Sequence, residues 1–282
     1  MEKEKTTALL TPPVVKLTQL KNLFLQLNHK TNEHENKIFY TEKNKEEFLL
    51  LDKIKENLAF FKNNKINSVY LMGDDPLKHP DFNQILRLCL KITNTTVITS
   101  GTMINDKKAR FLRKIDNESD FETIYRINLD CTDELENDQY RGRGSFRKAL
   151  CAIFSLIKYE FNPIICTTNR QNRSREEIFR DFQEFFNKKG IKIDEINLKI
   201  LPCFDKINKN FEIKDFNAEY LDCSSSRILS NMGIYSCPML VNDYRARLGS
   251  SVNDYSKINY LDCEKCSICT NWQKHVEVND WL

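Results

Sequence analysis

The stretch "SVYLMGDDPLKHPDFNQILRLCLKI", residues 68–92, contains one complete strand–turn–helix unit. Its first residues are almost all apolar and end at Gly73, a pattern that is typical of a buried strand. Asp74 and Asp75 begin a polar turn, and after Pro80 apolar residues recur at helical spacing. Because a buried strand followed by a helix is the repeating unit of parallel sheets, the stretch predicts an α/β fold.

The same alternation continues from residue 23 to residue 203 and predicts six parallel strands. Six strands are too few for a closed eight-stranded barrel. We therefore predict an open, partial (βα)6 barrel of the TIM type, with a flat doubly wound sheet as the alternative. The predicted strands are residues 23–27, 68–73, 95–100, 123–130, 163–168 and 196–201. The predicted helices are residues 45–61, 79–92, 105–115, 145–160 and 174–189.

The pattern divides the chain into three segments. Residues 1–20 form a lead-in, residues 21–203 form the barrel, and residues 204–282 form a small cysteine-rich module with few periodic elements. Ser174, which is followed by acidic residues, and Gly190 are the start and stop signals of the last barrel helix.

The composition of the 282 residues excludes several classes of function. The formal net charge is only +3, and basic residues alternate with acidic ones, so we expect no nucleic-acid partner. No apolar run approaches the roughly 18 residues of a membrane span, and the amino terminus lacks the zones of a secretion signal. We expect a cytoplasmic protein without a membrane partner.

Ten cysteines are many for a cytoplasmic chain, in which disulfides are rare. Four stand singly in apolar surroundings and are expected to be buried, structural side chains. These are Cys89, Cys131, Cys151 and Cys166. Six others, from Cys203 onward, crowd the last third, and two-residue gaps among them allow thiolates to converge on one metal centre. The predicted ligands are Cys223, Cys237, Cys263, Cys266 and Cys269. The spacing fits both zinc and an iron–sulfur cluster.

Polar residues and glycines stand at the ends of three of the predicted strands. Because the carboxyl ends of parallel strands meet at one rim, these residues predict a ligand site there. Each group alone is a weak signal, since Gly, Asp and Pro also form ordinary turns. The candidate binding residues are Gly73, Asp74, Asp75, Thr99, Ser100, Asn128 and Asp130.

The order of these motifs resembles the radical SAM superfamily, whose members use S-adenosylmethionine (SAM). In that family the second strand ends in Gly-Gly-Glu-Pro, the third in Thr-Asn-Gly and the fourth in Ser-Leu-Asp, often followed by Arg-Gly-x-Gly-Ser-Phe. The corresponding segments here are Gly73–Pro76, Thr99–Gly101, Asn128–Asp130 and Arg141–Phe146. The resemblance runs from about residue 20 to the end of the chain.

The resemblance also implies a [4Fe–4S] cluster after the first strand, where three cysteines spaced by three and two residues hold the cluster that binds and cleaves SAM. The residues at these positions are Thr31, Glu35 and Ile38, with Tyr40 as an accompanying aromatic. Thiolates are the usual cluster ligands, whereas threonine is a poor ligand and isoleucine is none. The family's Gly-Glu is also replaced by Asp74-Asp75. We expect that SAM cleavage has been lost, and we assign no catalytic residue.

The carboxyl-terminal cysteines resemble the auxiliary-cluster module of radical SAM proteins, called twitch or SPASM. Its members often handle peptide or protein substrates or relay electrons. The resemblance implies one [4Fe–4S] cluster held by four of the five cysteines, with zinc as the alternative. The expected function is a pseudoenzyme that binds a peptide, a protein or an active homologue. The alternatives are an iron–sulfur electron carrier or redox sensor, and an active radical SAM enzyme with unusual core ligands.

Overall fold

The computed structural model describes residues 14–29, 47–62, 65–193, 197–203, 221–241 and 243–260. The strands are β1 (Val14–Val15), β2 (Asn22–His29), β3 (Glu47–Phe48), β4 (Ser68–Gly73), β5 (Thr95–Thr99), β6 (Thr123–Asn128), β7 (Ile164–Asn169), β8 (Leu198–Pro202), β9 (Ser226–Ser230), β10 (Gly233–Tyr235), β11 (Arg247–Gly249) and β12 (Asn259–Tyr260). The helices are α1 (Leu51–Phe61), α2 (Phe82–Cys89), α3 (Asp106–Asn117), α4 (Glu134–Arg141), α5 (Ser145–Lys158) and α6 (Arg175–Asn187).

The central sheet has ten strands in the order β11-β10-β9-β2-β4-β5-β6-β7-β8, with β3 paired to β2. All pairs from β9 through β2 to β8 are parallel. From β2 to β8 the order follows the chain, which is the winding of a barrel, whereas a doubly wound sheet reverses its order at one strand. The predicted α/β class, with a sheet dominated by parallel pairs, is confirmed.

All six predicted barrel strands are present, with ends within two residues of their predicted positions. The helix predicted over residues 45–61 begins only at Leu51, because Glu47–Phe48 pairs antiparallel with β2 instead. Helix α4 was not predicted, since its residues are mostly polar. Ser174 caps α6 as predicted, in a capping box with Glu177. None of the described helices combines the length and apolar character that crossing a membrane requires.

The two faces of the sheet bury different sets of side chains. Alternate strand residues such as Leu25, Leu71 and Ile127 belong to a large core that they share with the helices. On the opposite, inner face, Phe24 and Tyr70 belong to a smaller apolar cluster to which the carboxyl-terminal residues contribute. Those carboxyl-terminal residues are Ile228, Tyr235, Cys237, Leu240, Val241 and Ala246. The described part of the cysteine-rich segment therefore packs onto the barrel strands, and β9 extends their sheet beside β2.

Candidate functional site

The predicted rim residues meet at the carboxyl ends of β4, β5 and β6, which are adjacent strands. Those within the described residues are Gly73, Asp74, Asp75, Thr99, Ser100, Asn128 and Asp130. The other predicted site residues, Thr31, Glu35, Ile38, Tyr40, Cys263, Cys266 and Cys269, lie outside the described residues.

The end of β4 lies directly against the end of β2. The backbone N–H of Asp74 donates to the carbonyl oxygen of Asn28 at 3.3 Å. Gly73 has a φ of +150°, and a Cβ at this position would overlap that same carbonyl oxygen. Only glycine, which has no Cβ, therefore fits at position 73 beside the backbone of Asn28. The carboxylate of Asp74 is buried and pairs with Lys78.

The carboxylate of Asp75 is enclosed by hydrogen-bond donors of the protein itself. The hydroxyl of Thr99 donates to it at 2.9 Å, the hydroxyl of Ser100 at 2.6 Å, and the backbone N–H of Leu77 at 3.1 Å. Burial raises the pKa of Asp75, and these hydrogen bonds offset only part of that rise. The side chains of two predicted binding motifs are thus joined to each other at this corner.

Two arginines hold the carboxylate of Asp130 in the adjoining part of the rim. Arg141 lies 3.0 Å and Arg170 3.1 Å from it, and the backbone N–H of Thr168 donates to it at 3.2 Å. Burial alone would raise the pKa of Asp130, but the charges of Arg141 and Arg170 outweigh burial and lower it. Asp130 is therefore an ionised carboxylate whose charge is balanced by both arginines, and it holds their side chains in place.

The inner face of the sheet carries polar groups below the rim. The guanidinium of Arg126 is buried and lies 5.5 Å from the centre of the Tyr70 ring, which stacks on Phe24. Asn128, two residues further along β6, is half-buried. Gln26 is also buried, and its amide has no hydrogen-bond partner among the described residues.

A cleft opens beside Asp130, between the start of α4 and the segment that connects β7 to α6. Its charged and polar lining is mixed in sign and includes Glu136, Gln171, Arg173 and Asp181. Cys131, which also lines the cleft, is half-buried, and burial together with the charge of Glu136 raises the pKa of its thiol to about 12. Such a thiol is a poor nucleophile.

The four single cysteines have different environments. Cys89 and Cys166 are buried, as predicted, and Cys131 is half-buried. The prediction of burial was wrong for Cys151, which is exposed. Cys151 lies on α5, and one face of such a helix is exposed to solvent. Apolar residues next to a cysteine in the sequence do not show on which face of the helix that cysteine lies.

Cys223 and Cys237 are both buried next to the fully buried side chain of Arg227. Burial lowers the pKa of Arg227 to about 10, and the nearby thiols of Cys223 and Cys237 oppose that shift. The guanidinium therefore remains charged at neutral pH. Two of the five predicted metal ligands are thus placed around one cation.

Sequence reasoning missed three residues of these sites. Asn137 accepts the backbone N–H of Asp130 at 3.0 Å and donates to Ser145 at 2.9 Å. The contacts of Arg170 and Arg227 depend on the tertiary structure, and the sequence pattern does not reveal them. A cap signal was present for the helix that carries Asn137, since Asp133 precedes two acidic residues and Gly142 ends the segment.

A parallel α/β sheet with glycines and polar groups at the carboxyl ends of its strands defines a class of barrel-type enzymes and their relatives. The family model described as "Radical SAM superfamily" matches residues 31–182. This chain belongs to the radical SAM superfamily. Membership suggests an iron–sulfur cluster and SAM as cofactors. Among curated proteins, none matches the sequence.

Solved structures confirm the likeness in fold. Native anSMEcpe with bound AdoMet has a TM-score of 0.61 and 14% sequence identity, with 89% of this chain and 82% of that chain covered. Streptococcus suis SuiB bound to precursor peptide SuiA has a TM-score of 0.62 and 13% identity, with 86% of this chain and 66% of that chain covered. At such identities the comparison shows the fold alone.

Proposed function

We propose that this protein uses the radical SAM fold to bind a peptide or protein partner and that it does not cleave SAM. The observation that carries the proposal is the donor chemistry of the core loop. Thr31, Glu35 and Ile38 offer one hydroxyl and one carboxylate where the family has three thiolates. Because thiolates are the usual ligands of such a cluster, these residues do not fit the family's core cluster.

The rim supports the same conclusion. The hydroxyls of Thr99 and Ser100 donate to Asp75, and the carboxylate of Asp74 pairs with Lys78. Polar side chains that could hold the methionine end of SAM are therefore engaged with each other. A ligand would have to break these buried contacts, and each broken contact costs free energy.

Anaerobically purified protein that is mixed with SAM and a strong reductant should form no 5′-deoxyadenosine above background. The reason is that no thiolate-bound iron is available in the core loop to bind SAM. Chromatography of the reaction mixture provides the measurement, with a radical SAM protein that retains the three cysteines as the positive control. Repeated turnover to 5′-deoxyadenosine would refute the proposal and favour an active enzyme with unusual core ligands.

The cleft beside Asp130 is the surface that we assign to the partner. Its lining combines Glu136 and Asp181 with Arg173, and an extended peptide offers groups of both signs to such a surface. The fold neighbours add support, since anSMEcpe was solved with the Kp18Cys peptide and SuiB with a precursor peptide. An active homologue that presents a flexible segment is a partner of the same kind.

Charge reversal in the cleft should weaken partner binding without unfolding the protein. We expect Arg173→Glu to lower affinity about tenfold, or about 1.4 kcal/mol, because it replaces a rim cation with an anion. Partners captured from host lysate would be identified, and their affinity for both forms then measured. Lys114→Glu, an exposed substitution on α3, is the matched control. Equal partner binding by wild type, Arg173→Glu and Lys114→Glu would exclude the cleft as the partner-binding surface.

The carboxyl-terminal cysteines would hold one [4Fe–4S] cluster, with zinc as the alternative. Cys223 and Cys237 fit a metal centre because both are buried beside a charged guanidinium. In the cytoplasm, where we place the protein, thiols remain reduced and available to a metal. The same observation favours a second function, a redox sensor or electron carrier. In that case, reduction of the cluster by dithionite should change affinity for the partner.

A further inference from the structure

The cleft beside Asp130 is small and partly apolar. Its volume is about 130 Å³, below the roughly 300–1,000 Å³ of pockets that enclose a whole small molecule, so it suits one side chain. Ile178 and Phe182 line it and are both buried, and the half-buried ring of Tyr140 also faces it. The aliphatic stem of a long side chain can pack against such a surface.

Two ion pairs involve half of the four carboxylates that line the cleft. Arg170 lies 3.1 Å from Asp130, and Arg173 lies 2.6 Å from Asp181. The guanidinium of Arg170 also lies 4.5 Å from the centre of the Tyr140 ring. The cleft therefore already holds one guanidinium between a carboxylate and an aromatic ring, which is the chemistry that recognises a basic side chain.

The other two carboxylates stand at the start of α4 and make that side of the cleft negative. Asp133 accepts the backbone N–H of Glu136 at 2.9 Å, and the carboxylate of Glu136 accepts the side-chain amide of Gln171 at 2.6 Å. Both donors are neutral groups. Burial raises the pKa of the adjacent Cys131 thiol, and the charges of Glu136 and Asp133 add to that rise. This side of the cleft therefore favours a cation.

The cation that fits is organic. In the part of the chain that the structure describes, no group of three histidine, cysteine, aspartate or glutamate side chains could hold a metal ion. A basic side chain needs only one or two carboxylates for its head and an apolar surface for its stem. The cleft offers both.

We propose that this cleft binds a lysine or arginine side chain of the partner, with Glu136 as its main anionic contact. The inference rests on the proposed function, because it names the chemistry of the segment that enters the cleft. The basic group takes the place of the Gln171 amide at Glu136, and its stem packs against Ile178 and Phe182.

Three capped tripeptides test the proposal in nuclear magnetic resonance titrations of the isotope-labelled full chain. They are Ala-Arg-Ala, Ala-citrulline-Ala and Ala-Glu-Ala, and citrulline has the shape of arginine without its charge. We expect the arginine peptide to shift the amide signals of Thr132, Glu136 and Gln171. It should bind about fivefold more tightly than the citrulline peptide, as suits an ion pair between partly exposed groups.

Glu136→Gln should abolish this preference for the arginine peptide, because it removes the charge and keeps the shape of the side chain. Glu134→Gln is the matched control. It makes the same change on the same helix, at a residue that pairs with Arg147 and does not line the cleft. It should keep the fivefold preference.

The possible failures are distinguishable. If the citrulline or glutamate peptide binds as tightly as the arginine peptide and shifts the same signals, the inference is wrong, but the cleft remains a peptide-binding surface. An undiminished preference in Glu136→Gln would also overturn the inference. If none of the three peptides shifts the cleft signals, both the inference and the assignment of the cleft to the partner fail.

Discussion

Replacing both Cys237 and Cys266 with alanine should remove all cluster iron and the brown colour from anaerobically purified protein. The wild-type chain should contain about four irons and about four sulfides, because five carboxyl-terminal cysteines supply ligands for one cluster. The double variant keeps only three of these cysteines, fewer than the four ligands proposed for this cluster, and it loses the middle cysteine of the Cys263–Cys269 run together with Cys237. Metal and sulfide analysis, together with the visible absorption spectrum, gives the measurement.

Cys151→Ala is the control for this experiment, because Cys151 is exposed on α5 and lies outside the predicted ligand set. It should retain the full iron and sulfide content. Full iron in the double variant would show that the ligand assignment is wrong. About eight irons per wild-type chain would mean that the core loop also holds a cluster, and zinc without sulfide would identify the alternative metal.

Replacing Asp130 with alanine should lower the free energy of unfolding by about 3–5 kcal/mol, because it leaves Arg141 and Arg170 partly buried without their shared counterion. The side chains of these arginines are only 13% and 15% exposed, so water replaces the lost carboxylate poorly. Denaturant titration followed by circular dichroism measures the change. Asp106→Ala, which breaks an exposed ion pair with Lys158, should remain close to wild type.

The same carboxylate makes the stability of the protein depend on pH. The pKa of Asp130 is lowered in the folded state, so its ionised form stabilises the fold at neutral pH. That contribution is lost as the pH falls below about 4, the ordinary range of an aspartate, toward the lowered value. The alanine variant should lack this part of the acid transition. Identical acid dependence in both proteins would contradict the role given to Asp130.

Local pattern accounts for the positions of the predicted rim residues. Gly73, Asp75, Thr99 and Asp130 lie at or just beyond the ends of buried strands, and parallel strands bring their carboxyl ends to one rim whatever the rest of the fold does. What these side chains contact there could not be predicted. Asp75 could have faced a ligand, and in the structure it accepts hydrogen bonds from Thr99 and Ser100 instead.

The sequence alone determined the strand–helix alternation, the superfamily and the absence of a thiol side chain at Thr31, Glu35 and Ile38, because periodicity and residue chemistry are local properties. Only the tertiary structure decided which distant groups meet. It placed β9 beside β2 and brought Arg170 to Asp130, 40 residues away in the chain. Such contacts depend on which surfaces can be buried together and on which charges then need partners. These are properties of the whole packed chain.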